Sequence, residues 1–357
     1  MSFISHISTK TGDYSVSQLE MLNYLEKHYQ DDFGARKYKA LMRDKSIETK
    51  HSVLPDFQPD AKVFKLFKEY HQPTTEERMA VYKHEALKLS ALVCKKTILN
   101  AKINISEITH IIAISCTGMY APGLEIDLMS ALNLNQNTQR HAINFMGCYA
   151  AFHGFRLADM ICKTNENAKV LMVTVELCSL HFNNKTNDDN LLSTYLFSDG
   201  AAACLVSTQK QIGPAFEIFD YHSVLIPEGK KDMAWELTAH GFEMVLSREV
   251  PKHIESKIDE AANLFFAKNN LKTNEIKHFA IHPGGNSILK AFENGLGINN
   301  EQLKNSYEVL KTCGNMSSST VLFVLEKYLE NPDEGWVYSA AFGPGLSIEN
   351  ALLKLTK

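Results

Sequence analysis

The two halves of this chain repeat one layout, and that repeat constrains the fold more than any other feature of its 357 residues. An apolar run starting at His110 precedes Cys148 by 38 positions, and another begins at Val170, 22 positions further on. In the second half, the run starting at His278 precedes Asn315 by 37 positions, and Trp336 opens the next run 21 positions later. Such runs read as buried strands, and the residues after Cys148 and Asn315 recur at helical spacing. Two matching spacings and a matching helix start, all in register, predict two copies of one βαβ-type plan. Packed about a pseudo-dyad, the copies bring the helix starts bearing Cys148 and Asn315 face to face. The stretch from Thr208 to Gly213 is the best boundary, dividing the chain into 1–208 and 209–357.

The expected elements are those of an α/β chain. Ser15 to Tyr29 places Val16, Leu19, Leu22 and Leu25 on a helical stripe. A long helix follows Pro73, capped by Thr74 or Thr75 and filled by Ala80, Tyr82, Ala86, Leu87, Ala91 and Leu92. His110 to Cys116 is a buried strand, and a helix opens after Ala121, Pro122 and Gly123, running from Leu124 to Leu132. Asn183 to Asn190 is a polar loop, and Ser198 to Val206 is a turn into a strand.

Around Cys148 the pattern is a buried strand (Ala142, Ile143, Phe145, Met146), a hinge at Gly147, and a buried helix through Ala151, Phe155, Ala158 and Met160. A thiol at a helix start feels the positive end of the dipole, which favours thiolate. The bland alternative is a core cysteine, since unpaired cysteines are often buried.

Composition excludes several functions. A net charge of −4 provides no basic footprint for nucleic acid. No apolar run reaches the roughly 20 residues that span a bilayer, and Met1 to His6 shows no secretory signal. Seven cysteines lack CxxC pairs and zinc spacing, so they read as reduced thiols in a cytoplasmic protein with no structural metal. The cluster Arg36, Lys37, Lys39, Arg43 and Lys45 reads as a solvated face, with phosphate binding as the minority reading.

His282 ends a strand in a rigid turn, because Pro283, Gly284 and Gly285 follow it. With Cys148 and Asn315 it forms a workable constellation. The imidazole pairs with a thiolate, and His282 and Asn315 together hydrogen-bond a carbonyl oxygen that becomes negative. Papain-like proteases use the same residue types in the same order. Against them, Cys148 is in mid-chain, its flanks lack the protease signature, and proteases have no duplicated halves.

Four blocks resemble the signatures of type III polyketide synthases, the chalcone synthase-like branch of the thiolase superfamily. They are Gly147-Cys148-Tyr149-Ala150, His282-Pro283-Gly284-Gly285, Gly314-Asn315-Met316-Ser317-Ser318 and Phe342-Gly343-Pro344-Gly345-Leu346. A fifth, Phe197 to Ala202, matches as well, and the likeness runs from about Lys37 to Leu353. The resemblance implies a thiolase-like fold of two pseudo-symmetric αβαβα halves, a homodimer, and a buried cavity reached by a narrow tunnel. It implies that Cys148 takes an acyl starter as a thioester. Malonyl thioester then loses CO₂, and its enolate attacks the acyl-enzyme, over several rounds. The substrates are coenzyme A thioesters, malonyl-CoA and acyl-CoA, with no permanently bound cofactor; an acyl carrier protein is the alternative carrier.

By the same resemblance Phe197 is a gatekeeper, and Thr117 and Ser317 line the cavity. Met244 replaces a second gatekeeper phenylalanine, Cys116 and His181 replace cavity threonines, and Ala121 replaces a methionine that reaches across the dimer. Lys45, Gly284 and Ser287 fall at the carrier tunnel, with Leu41 where a partner arginine is expected. A single-round ketoacyl synthase and a catalytically silent thiolase-fold subunit are the competing readings.

Overall fold

The computed structural model describes residues 1–28, 32–68 and 71–357, so Tyr29, the expected end of the first helix, lies outside the described residues. The first half contains β1 (Ser2–Thr11), β2 (Tyr14–Ser17), α1 (Gln18–His28), α2 (Asp32–Leu41), β3 (Thr49–Ser52) and α3 (Thr75–Ala101). It continues through β4 (His110–Ser115), α4 (Leu124–Leu132), β5 (Gln139–Asn144), α5 (Ala150–Thr164), β6 (Lys169–Leu177), α6 (Asp188–Leu196) and β7 (Asp199–Ser207). The second half contains β8 (Ala215–Leu225), β9 (Met233–Thr238), β10 (Gly241–Leu246), α7 (Val250–Lys268), β11 (Ile276–Ile281) and α8 (Asn286–Leu296). It ends with α9 (Lys304–Cys313), α10 (Thr320–Glu330), β12 (Gly335–Gly343) and β13 (Ser347–Thr356).

Nine strands form one mixed sheet in the order β11-β12-β13-β8-β1-β7-β6-β4-β5. Its centre is the antiparallel pair β1–β8, and the sheet reads alike in both directions from there. Outward on one side come β7 (antiparallel), β6 (antiparallel) and β4 (parallel). On the other come β13, β12 and β11 with the same three senses. The duplicated spacing is therefore a duplicated topology. It is incomplete at one edge: β5 pairs with β4, but among the described residues no strand lies beyond β11. The residues between His282 and Asn315 form α8 and α9 instead.

Alternation along the strands builds the layers. Ile112 and Ile114 of β4, Val170 and Met172 of β6, and Ala280 of β11 join α5 and α10 in one buried cluster. Their neighbours Ile111, Ala113, Leu171, Val173, Phe279 and Ile281 face the outer helices α3, α7 and α8. Two inner helices between sheet halves, with helices outside both, make the αβαβα arrangement.

The long helix begins as expected, Thr74 and Glu77 forming a reciprocal capping box. Its buried stripe is Tyr82, Ala86, Leu89 and Val93, whereas Ala80 and Leu92 face solvent. Val16 belongs to β2, and α1 buries Met21, Leu22 and Leu25 while leaving Leu19 exposed. β5, expected to be buried, is an exposed edge strand, and Met160 on α5 is exposed too. The expected polar loop at 183–190 ends early, since Asn187 caps α6 by accepting the Asn190 N–H at 3.0 Å. Among the described residues no helix is long and apolar enough to cross a membrane.

Candidate active site

Cys148 lies in the turn between β5 and α5, with Tyr149 at the cap, so it precedes the helix instead of starting it. Gly147 makes the turn possible: its φ is +88°, and a Cβ there would lie 2.5 Å from Cδ of Pro344. The Gly147 N–H donates to Sγ of Cys116 at 2.9 Å, which pins the turn to the end of β4. Asn315 likewise precedes its helix. Its main chain is clamped on both sides, its N–H donating to the Leu196 carbonyl at 2.9 Å and its carbonyl accepting from Ser198 N–H at 2.9 Å. Phe197, between those partners, is thereby held beside Asn315.

His282 directly follows β11, and its N–H donates to the Ala340 carbonyl at 2.8 Å. The ring packs edge-on against Phe342, with centroids 5.5 Å apart. Gly284 lets Phe342 in, since a Cβ there would meet its Cζ at 2.4 Å. Asn315 Nδ2 donates to the Gly284 carbonyl at 3.2 Å, tying the asparagine to the histidine turn. Both ring nitrogens of His282 lack a hydrogen-bond partner among the described residues.

The electrostatics correct one expectation. The helix start and the histidine were expected to leave Cys148 as a thiolate. Burial instead pushes the thiol up to about 12, against hydrogen bonds from Ser317 and Asn315 that favour the charged form. Burial also pushes His282 down to about 3. For both groups burial is the largest influence, and it favours the neutral thiol and the neutral imidazole.

A cavity of about 930 Å³ of empty space opens beside Cys148. Phe197, Met244, Cys116, Thr117, His181 and Ser317 all line it, together with Gly147 and Pro344. Ala121 does not; it is exposed, on the loop before α4. Lys45 and Ser287 are exposed and lie outside the cavity lining, as does Gly284. The Asn286 side chain donates to Asp44, which brings the Lys45 and Ser287 segments together. Lys37 of the basic cluster pairs with Asp188 at 2.6 Å.

Several residues were not anticipated. Glu176 is fully buried on β6 and accepts hydrogen bonds from Cys116 N–H at 2.9 Å, Thr117 Oγ1 at 3.0 Å and Ser318 Oγ. Burial raises it to about 7. A glutamate directly after the apolar run at 170–175 was the available signal. Lys50 lines the cavity, is brought down to about 7 by burial, and donates to the Thr194 carbonyl. Trp235 and Phe242 supply an aromatic wall. Periodicity marks neither Lys50 nor these rings.

With the geometry in place, comparison with known proteins identifies relatives. Residues 3–210 match the family described as chalcone and stilbene synthases, N-terminal domain, and residues 217–356 match the corresponding C-terminal domain. A putative chalcone synthase of Bacillus subtilis is 30% identical over 376 residues, covering 100% of both chains. The probable polyketide synthase 1 of Dictyostelium discoideum is 29% identical over 362 residues; the match takes in 99% of this chain but 11% of that protein's length. Among solved structures, PKS-I of the brown alga Ectocarpus siliculosus superposes with a TM-score of 0.91 at 29% identity, over 99% of this chain and 98% of that one.

Proposed function

The chain belongs to the chalcone and stilbene synthase family, and on that footing we propose that it is a type III polyketide synthase whose reaction centre is Cys148, His282 and Asn315. The starter arrives as an acyl thioester. The Cys148 sulfur attacks the carbonyl carbon while its proton passes to His282, and the carrier thiol leaves with a proton. A malonyl thioester then enters with its thioester oxygen toward His282 and Asn315 Nδ2. As the carboxylate leaves as CO₂, the electron pair moves toward that oxygen, where those two groups receive the charge. The enolate carbon attacks the acyl-enzyme, a C–C bond forms, the C–S bond breaks, and Cys148 is regenerated. Return of the lengthened chain to Cys148 permits further rounds.

One observation carries this reading. The cavity-lining thiol is near an asparagine that favours its charged form, and that asparagine is tied to a turn whose histidine has both ring nitrogens unpartnered among the described residues. A structural core cysteine requires neither. Phe197, held by the main chain next to Asn315, excludes water and so favours loss of CO₂.

The carrier is coenzyme A, entering past Lys45, Gly284 and Ser287. The working form is a homodimer joined at β5, because that strand leaves an open, exposed edge. The seven cysteines are unpaired, as in a reducing cytoplasm. Incubation with malonyl-CoA and a panel of acyl-CoAs, followed by mass spectrometry, tests the proposal. Products with two or more added C₂ units are expected. β-Ketoacyl products of one round favour a single-round ketoacyl synthase, and no product from any starter favours a silent subunit.

A further inference from the structure

The cavity's aromatic wall does not belong to the sheet that carries the catalytic turns. β9 and β10 form a separate two-stranded sheet. The distance of Trp235, Phe242 and Met244 from Cys148 therefore depends on contacts between the hairpin and its neighbours, not on the register of the large sheet. Trp235 Nε1–H donates to the Cys116 carbonyl at 2.7 Å. His181 bridges the two parts: Nε2 lies 2.7 Å from the Thr117 carbonyl, and Nδ1 accepts the Phe242 N–H at 3.0 Å. Those partners require the neutral ring with its proton on Nε2.

Behind this wall stands the first turn of α3. The Thr75 N–H donates to the Ala239 carbonyl at 2.9 Å. Its hydroxyl donates to the Thr238 carbonyl at 2.6 Å and accepts the Gly241 N–H at 2.8 Å. One residue thus contacts three residues of the hairpin turn, which Thr238 Oγ1 also closes from within by donating to the Gly241 carbonyl and accepting the His240 N–H. Arg78, one helical turn later and fully buried, donates to the carbonyls of Leu180 and Phe182, the residues on either side of His181. Its Nε donates to the Pro73 carbonyl at 3.2 Å. Hydrogen bonds from an ionised donor are the stronger kind, and the capping box keeps this turn rigid. Neither Thr75 nor Arg78 lines the cavity.

We propose that Thr75 and Arg78 are positioning residues that set the depth of the cavity, and through it the number of malonyl units added before release. The inference rests on the polyketide synthase reading. Extension stops when the chain fills the space in front of the hairpin, so a wall that yields admits another unit.

The test compares Thr75→Val, Arg78→Met and Arg78→Lys with the parent. Three readouts are the acylation rate of Cys148, the lengths of products at saturating malonyl-CoA, and the emission of Trp235 in a Trp336→Phe background. Thr75→Val and Arg78→Met should acylate Cys148 within about twofold of the parent. Their ratio of one-unit-longer to parent product should rise about tenfold, the lower end of what a hydrophobic pocket discriminates for one methylene. Trp235 emission should shift to the red, and Arg78→Lys should lie between Arg78→Met and the parent. Unchanged product lengths in a parent that condenses, with or without a shift in Trp235, overturn the brace alone. So does a uniform fall of acylation and all products together. A parent that makes no condensation product sinks the functional reading itself, and the brace with it.

Discussion

The oxygen of the Asn315 side chain accepts the Ser317 N–H at 2.8 Å, and that contact decides which way the amide faces. With Oδ1 occupied by a main-chain donor, Nδ2 is left to donate, as it does to the Gly284 carbonyl at 3.2 Å. An amide of fixed orientation in a buried site can meet a developing negative charge without reorganising, which is where such donors are most effective.

Asn315→Ala should therefore separate the two half-reactions. Acyl transfer to Cys148 should stay within about tenfold of the parent, since it does not pass through the enolate. Release of CO₂ from malonyl-CoA should fall by roughly 10²–10³, the usual loss for one such donor. Labelled starter and labelled malonyl-CoA on one preparation measure both. Collapse of acylation with decarboxylation intact would assign Asn315 a different role.

Gly147→Ala should impair the nucleophile while leaving the fold in place. The added methyl meets Pro344 at 2.5 Å, and φ of +88° is outside the range L-residues favour. A strained residue of this kind costs about 1–3 kcal/mol. The turn relieves the strain by moving, and displacement of a reacting group by about 1 Å costs on the order of a hundredfold. Circular dichroism should be unchanged and acylation of Cys148 should drop; parent-like acylation would show that the turn tolerates the shift.

The duplicated plan was legible because strand–helix spacing survives in sequence even where the content between matching points differs. His110 to Cys148 encloses α4 and β5, whereas His278 to Asn315 encloses α8 and α9. Hence the topology could be anticipated and the missing edge strand could not. Exposure of β5 escaped detection because Ala142 and Ile143 are apolar regardless of whether another strand covers them. The proposed reaction-centre positions could be singled out because glycine and proline fix their turns. The ionisation of Cys148 could not, because a helix end is visible in sequence and the depth of burial is not. Lys50 and Trp235 reach the cavity from elements with no periodic mark of their own.

Glu176 supplies a pH signature. Its carboxyl is raised from 4.5 to about 7 because burial penalises the charged form more than its three donors favour it. A raised carboxyl stabilises the fold below the unfolded value and loses that contribution as pH rises through the folded one. Between about pH 4.5 and 7 the parent should thus lose stability that Glu176→Gln does not, on the order of 3 kcal/mol over the window. Replacing an acceptor adds an offset independent of pH, so the slope of the difference is the test. Denaturant unfolding of both proteins at several pH values measures it, and parallel profiles would mean that Glu176 stays ionised in the fold.

The last prediction follows from the neutral pair. Burial holds the Cys148 thiol at about 12 and His282 at about 3, so both shifts oppose a resting ion pair. If so, His282 acts during acylation, accepting the proton as the sulfur attacks, and does not store a thiolate beforehand. Two experiments then diverge. Iodoacetamide, which needs only thiolate, should alkylate Cys148 slowly at pH 6.5 and about tenfold faster for each pH unit up to 9. His282→Ala should leave that profile within about threefold. Acylation by the starter thioester should nevertheless fall by roughly 10²–10⁴ in His282→Ala, the range for losing a positioned proton acceptor. Alkylation that is already fast at pH 6.5, flat to pH 9 and lost in His282→Ala would reveal a preformed thiolate–imidazolium pair. In that case mutual attraction, not burial, governs the site.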